Sequence, residues 1–455
     1  MFLTALGCAL ACALPAASFA QTIEEAMAEA YRSNPQLLAQ RARVRSTDEQ
    51  VPQALAGWRP TVDMTADAGG AHYETNISST TSPARQDREP KSTKIELSQP
   101  LYRGGRTSAA TSEAENNVKA ERARLVTVEQ RVLLDAATAY LDLYREIAVL
   151  DLNRGNEQVL RRQLDATRDR FQVGEITRTD VFQAEARLAR AIADRIKAEG
   201  DLEISRASYV RVIGVAPPAE LTLPPAPDRL PDEKDKAIRD AAIQNPAVIA
   251  AEFDQRAARD RVDGAAGELL PTFKIVASAG KDWESSNESS RISNLEAKLK
   301  FSMPLYEAGA TYARVRGAKQ AAAERQNLID KERRDAVQTA TRAWDTLLSA
   351  RARVDSFDSQ IRAATVALEG VEREAAVGSR TVLDVLNAEQ ELLDAKVNHV
   401  RAQRDELVAA FELKSAVGHL VAEQLALKVD LYDPAINYDE SRGKWLGTSV
   451  KGGAE

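Results

Sequence analysis

The chain has 455 residues, of which 61 are Lys or Arg and 68 are Asp or Glu, for a formal net charge of −7. With no basic excess to neutralise phosphates, a nucleic-acid partner is not expected. The three histidines (His72, His399, His419) are scattered and the only cysteines are Cys8 and Cys12, so neither a His/Cys metal site nor a thiol nucleophile is expected.

Residues 1–20 carry no charge and end Ser18-Phe19-Ala20 before Gln21, the small-x-small pattern of an export signal cleaved after Ala20, although the usual basic start is missing. Cleavage there leaves an exported chain without cysteine. A lipid-modified cysteine and an uncleaved anchor are the alternatives. No later segment offers the roughly 18 apolar residues of a membrane helix, so any membrane entry must use β-strands.

From there the elements come in two rounds. Residues 21–214 read as a helix, strands at about 60–70 and 92–101, a long helix over 104–172 and a return helix over 177–213. The Pro-rich stretch 215–236 is an extended linker. Residues 237–418 repeat the order, with strands at about 272–281 and 293–303, a long helix over 308–376 and a return helix over 381–417. Residues 419–455 form a C-terminal segment and tail. The duplication is visible residue by residue. Asn34-Pro35 recurs as Asn245-Pro246 at an offset of 211, and Pro100-Leu101-Tyr102 as Pro304-Leu305-Tyr306 at an offset of 204. Val173-Gly174, Asp180-Val181 and Ala184-Glu185 keep that second offset in Val377-Gly378, Asp384-Val385 and Ala388-Glu389.

No proline falls between Pro100 and Pro217 or between Pro304 and Pro434, and Ala, Glu, Arg, Leu and Gln dominate there. Each long helix would measure roughly 100 Å. Its apolar stripe is mostly alanine, which suits close packing in a tube of helices or in a plain coiled coil.

The four strands alternate. Leu295, Ala297, Leu299, Phe301 and Met303 interleave with Glu296, Lys298, Lys300 and Ser302, and Val62, Met64 and Ala66 with Thr61, Asp63, Thr65 and Asp67. Ile95 and Leu97 lie between Lys94, Glu96 and Ser98, and Phe273, Ile275, Ala277 and Ala279 form the fourth apolar row. Each strand has about the 9–11 residues that cross a bilayer at a tilt. The intervening stretches, Gly69 to Ser92 and Gly280 to Arg291, read as polar loops. Four strands cannot close a barrel, so copies must combine. Two give eight strands and three give twelve, and a conducting lumen favours three because eight-stranded barrels are filled by their own side chains. Tyr102 and Tyr306 at the strand-to-helix junctions suit a membrane-interface belt, or simple packing. At the helix turns, Gly174 and Gly378 suit the left-handed termination of a helix. Thr177-Arg-Thr-Asp180 and Thr381-Val-Leu-Asp384 suit capping boxes opening the next one.

Carried on Pro100-Leu-Tyr-Arg-Gly-Gly105, Val173-Gly-Glu-Ile-Thr-Arg-Thr-Asp-Val181, Val377-Gly-Ser-Arg-Thr-Val-Leu-Asp-Val385, Tyr432-Asp-Pro434 and Lys444-Trp445, the chain resembles the TolC family of outer-membrane exit ducts along nearly its whole length. The resemblance implies a mainly α fold with a membrane β-barrel part: a homotrimer with a 12-stranded barrel in outer-membrane lipid and a 12-helix periplasmic α-barrel. The linker and the C-terminal segment would form an equatorial belt. The implied partners are a periplasmic adaptor (membrane fusion protein) and an inner-membrane ABC or RND transporter, in drug efflux or type I secretion. Adaptor docking would fall on Val173, Gly174, Thr177, Val377, Gly378 and Thr381. A periplasmic gate would use Arg380 bridging to Thr179 and Asp180, with Asp384 in an acidic ring. Asn387 replaces a second ring acid and Ala375 an aromatic gate residue, so a looser or differently latched gate is expected. No cofactor, metal or catalytic residue is implied, and no nucleotide-binding, zinc-hydrolase or C-x-x-C motif is present in the exported chain. The competing reading is a periplasmic adaptor or coiled-coil scaffold, which should show one helical hairpin rather than two.

Overall fold

The computed structural model describes residues 22–75, 84–218 and 221–450. The apolar leader with Cys8 and Cys12 lies outside the described residues. In chain order the first round is α1 (Ile23–Ser33), α2 (Pro35–Asp48), α3 (Gln50–Leu55), β1 (Thr61–Ala68), β2 (Ala71–Thr75), β3 (Ala84–Arg88), β4 (Lys91–Arg103), α4 (Arg106–Gln172) and α5 (Arg178–Ile213). The second is α6 (Lys234–Gln244), α7 (Pro246–Ala266), β5 (Thr272–Trp283), β6 (Arg291–Ser302), α8 (Ala310–Ala376) and α9 (Val382–Ala416), followed by α10 (Pro434–Arg442).

Local chemistry sets the boundaries. Thr22 and Glu25 form a capping box at the start of α1. The repeated Asn-Pro pair starts helices in both rounds. Asn34 Oδ1 accepts from the Gln36 amide at 2.9 Å, and Asn245 Oδ1 accepts from the Ala247 amide at 2.9 Å; Pro supplies a pre-set φ where no helical amide is needed. Gly214, at φ 92°, ends α5 with its amide on the Val210 carbonyl. Helices α4 and α8 each run 67 residues without interruption, roughly 100 Å at about 1.5 Å per residue.

The chain divides into two compact units. Unit 1 comprises the chain up to Leu37, Val128–Asp240 and Gln338–Leu431. Its buried side chains include Leu133, Leu141, Leu143, Tyr140, Tyr209, Leu413 and a run of small residues, Ala136, Ala137, Ala340 and Ala350. The Pro-rich linker is pinned here by Tyr140, whose hydroxyl donates to the Thr222 carbonyl at 2.9 Å and accepts from the Thr222 amide at 3.2 Å. A buried Lys414 also donates to the Asp228 carbonyl at 3.0 Å. Burial pushes the Tyr209 phenol up to about 12 and lowers the Lys414 ammonium.

Unit 2 comprises Leu38–Thr127, Ala241–Val337 and the chain from Tyr432 onward. Its four-stranded antiparallel sheet has the order β1-β4-β5-β6, with β1 and β6 as open edges. The stretch Gly69 to Ser92, expected as a loop, instead contains the separate hairpin β2-β3. Its cross-strand contacts are His72 Nδ1 with Asp87 Oδ1 at 2.5 Å and the Arg88 guanidinium 3.7 Å from the Tyr73 ring centroid. These polar and cation–π contacts accompany the antiparallel ladder of the hairpin, and neither leaves an apolar period in the sequence. Residues from Tyr432 on belong to unit 2 rather than to the unit that holds the Pro-rich linker. They are fastened there by Asn437 donating to Asp48 at 2.8 Å and Arg122 donating to the Pro434 carbonyl at 3.1 Å. No described helix is long and apolar enough to cross a membrane.

Candidate functional site: a two-faced sheet and two capped helix turns

The register of the sheet sorts its side chains into two faces. Asp63 pairs with Glu96, Glu96 with Ser278 and Ser278 with Glu296, and Lys274 with Lys300. The alternating partners Met64–Ile95, Leu97–Ala277 and Ile275–Leu299 make the opposite face. One face is therefore charged and the other apolar across all four strands. The charged face neutralises itself locally: Lys94 donates to Glu96 at 2.6 Å, and Lys298 pairs with Glu296. Among the described residues nothing covers the apolar face. Val62, Met64 and Leu299 are about two-thirds exposed and Leu295 is 86% exposed. A strand set that is apolar on one side and ionic on the other, with neither side packed, is the surface pattern of a wall between lipid and water.

At the end of the sheet where the strands meet the helices, aromatic rings gather. Tyr102 lies 6.4 Å from Phe273, and Phe273 lies 5.1 Å from Phe301, centroid to centroid. Tyr306 is 82% exposed. Sequence reasoning singled out Tyr102 and Tyr306 but left Phe273 and Phe301 as members of apolar rows, because only the register brings them beside Tyr102. The tight turn into α4 needs Gly104, at φ 63°. A Cβ there would sit 2.3 Å from the Gly267 carbonyl oxygen.

The two helix turns of unit 1 are built alike. Gly174 and Gly378 adopt φ of 82° and 80°. Their amides donate to the carbonyls of Phe171 at 3.0 Å and Ala375 at 3.1 Å. Thr177 and Asp180 then form a capping box: the Thr177 amide donates to Asp180 Oδ2 at 2.9 Å and the Asp180 amide to Thr177 Oγ1 at 3.4 Å. Thr381 and Asp384 repeat it at 3.0 and 3.2 Å. The Thr381 backbone amide, then its hydroxyl, and the nearby Arg380 charge hold the Asp384 carboxyl below the usual carboxylate range. Val173 and Val377, at the turns, are 72% and 80% exposed. Beneath the turns Leu160, Leu164, Ala184, Ala191, Val382 and Leu386 form a buried cluster, so α4, α5 and α9 share one core there.

Arg380 donates through Nε to Glu374 Oε2 at 2.8 Å within its own turn, and this carboxylate raises the guanidinium's affinity for its proton. Among the described residues no bond joins Arg380 to Thr179 or Asp180; Thr179 is exposed. Asn387 accepts from Arg187 Nη2 at 2.6 Å, linking α9 to α5.

One residue escaped the sequence reading. Glu389 is 8% exposed, and among the described residues its Oε2 has no hydrogen-bond partner. Burial, with a smaller contribution from the Glu372 charge, pushes its carboxyl up to about 7. The duplication held the signal. In the first round Arg168 pairs with Glu185 at 2.7 Å, and the offset of 204 places Glu372 and Glu389 at those positions in the second. An ion pair has become two acids.

Comparison with known proteins agrees with this geometry. The family described as outer membrane efflux protein matches residues 26–215 and 237–419, one stretch for each round. The chain is 34% identical over 438 residues to the outer membrane efflux protein BepC of Brucella suis biovar 1, covering 96% of this chain and 94% of that protein. It is 25% identical over 425 residues to the outer membrane protein TolC of Escherichia coli K12, covering 90% and 84%. Its fold matches the CmeC outer membrane channel of Campylobacter jejuni with a TM-score of 0.78 at 15% identity, over 92% of this chain and 89% of that one. With both rounds matched and a curated relative aligned almost end to end, the chain belongs to the outer membrane efflux protein family.

Proposed function

We propose that three copies of this chain close into a passive exit duct, a twelve-stranded barrel in the outer membrane continued by twelve helices in the periplasm. The carrying observation is the open four-stranded sheet with one bare apolar face and one ionic face. Its edge amides and carbonyls cannot remain unpaired in lipid, so further copies must complete the ladder. Three copies leave a lumen that two would fill. Exposed apolar side chains on the helices of unit 1, Ile204 and Val366 at 71% and 70%, are further surface for neighbouring copies to cover.

In this reading the duct performs no chemistry and needs no cofactor. Substrate arrives from an inner-membrane ABC or RND transporter through a periplasmic adaptor. The bare valines beside Gly174 and Gly378, with Thr177 and Thr381 fixing the turns, give the adaptor its docking tips. Asp384, held ionised by its cap, contributes one charge per copy to a ring that attracts cations and repels anions. Asn387 contributes none. Arg380, engaged by Glu374 in the isolated chain, is the residue that would latch the closed state onto Thr179 and Asp180 of an adjoining turn. The two equivalent turns argue against a single-hairpin adaptor.

The test is planar-bilayer conductance of the detergent-extracted protein, with its oligomeric mass measured on the same sample. Discrete openings from a trimer are expected, and Arg380→Ser should raise the single-channel conductance. A folded, water-soluble monomer or dimer without conductance would overturn the duct. Unchanged conductance in Arg380→Ser would overturn the latch alone.

A further inference from the structure

The C-terminal tail is held at the start of the sheet and yet left bare. Helix α10 is fastened in unit 2 by Arg442 to Glu115 at 3.1 Å and by Tyr438, which packs on the buried cluster of Val51, Ala114 and Val118. The chain beyond it runs to Arg59, whose Nη1 donates to the Lys444 carbonyl at 2.9 Å. The same guanidinium lies 4.7 Å from the centroid of the Trp445 ring. Lys444 Nζ donates back to the Ser449 carbonyl, closing residues 444–449 into a loop.

Arg59 stands two residues before Thr61, the first residue of β1. The neighbouring Trp58 carbonyl accepts from Gln99 on β4 at 2.9 Å. The tail is thus brought to the end of the sheet that carries Tyr102, Phe273 and Phe301. In spite of these ties Trp445 is 65% exposed, Leu446 90% and Val450 70%. An indole fixed on one side by a guanidinium, followed by a bare leucine and flanked by Lys444, has the makeup of an interfacial anchor: an apolar body, a polar N–H and a cation at headgroup level.

We propose that residues 444–450 form a strap lying in the periplasmic leaflet of the outer membrane, with Trp445 and Leu446 among the glycerol and upper acyl-chain region of phospholipids and Lys444 and Arg59 facing their phosphodiesters. Lipid is favoured as the occupant because the strap is tied through Arg59 to the end of the sheet where Tyr102, Phe273 and Phe301 gather, and its own bare side chains are an indole and a leucine beside two cations. The proposal rests on the membrane-barrel reading. Inserted in this way, the strap fixes the depth of the start of β1 in the bilayer.

The experiment uses the full chain in phospholipid vesicles, with Cys8 and Cys12 replaced by Ser and one nitroxide label at a time. The labelled positions are Leu446→Cys on the strap, Leu299→Cys on the apolar sheet face and Ser286→Cys in the β5–β6 turn. Collision rates with oxygen and with a water-soluble nickel chelate are compared. The strap label should show an oxygen-to-nickel ratio several-fold above that at position 286 and below or equal to that at 299. A nickel-dominated signal at 446 with an oxygen-dominated one at 299 overturns the strap and leaves the barrel standing. A nickel-dominated signal at 299 overturns the barrel itself. Low collision with both agents at 446 means that protein from a neighbouring copy covers the tail, which also overturns the proposal.

Discussion

Replacing Glu389 by Gln should make unit 1 more stable at neutral and alkaline pH and leave it unchanged in acid. The carboxyl is buried with one oxygen unsatisfied, and its pKa rises from 4.5 to about 7. At about 1.4 kcal/mol for each tenfold in proton affinity, that rise corresponds to about 3 kcal/mol of native-state destabilisation once the group is ionised. The sign follows from proton counting. Below pH 4.5 the group is protonated in both folded and unfolded chains and costs nothing. Between pH 4.5 and about 7 the folded chain keeps a proton that the unfolded chain has released, so stability falls as pH rises through this window and the loss is complete above it. The assay is denaturant unfolding of the helical circular dichroism signal from pH 4 to 8.5, wild type against Glu389→Gln. The two curves should coincide in acid and separate by up to about 3 kcal/mol in alkali. Restoring the ion pair of the first round with Glu372→Arg should flatten the wild-type curve in the same window. Parallel curves for wild type and Glu389→Gln would refute the reasoning.

Three further outcomes follow from the geometry. Thr381→Ala removes the hydroxyl that both accepts from the Asp384 amide and donates to its carboxylate. It should cost about 1 kcal/mol in denaturant unfolding and move the acid-side titration of channel conductance to higher pH, because Asp384 loses part of what keeps it ionised. Thr177→Ala should show a similar stability loss in the first turn. Gly104→Ala should destabilise by about 1–3 kcal/mol in the same measurement, since its Cβ would press on the Gly267 carbonyl at a backbone angle that L-residues avoid.

What could be read from the sequence was whatever depends on neighbours along the chain. The capping boxes at Thr177 and Thr381, the left-handed Gly174 and Gly378 and the alternation of β6 are all set within a few residues. Each survives in the structure because no distant contact competes with it. The duplication was legible because both rounds keep the same markers in order. The β2-β3 hairpin was not legible, since polar contacts across strands such as His72 with Asp87 leave no apolar period to detect. Arg380 was assigned by resemblance to Thr179 and Asp180, whereas within one chain the nearer Glu374 takes it.

The sequence by itself determined the long uninterrupted helices, the two-faced strands and the repeated turns, because propensity, alternation and capping act locally. Only the tertiary structure decided that Phe273 and Phe301 join Tyr102, that the tail from Tyr432 on is fastened in the unit that holds the strands, and that Glu389 is buried with one oxygen unsatisfied among the described residues. Those features depend on which residues far apart in the chain come to share a surface, and on how much water their packing removes.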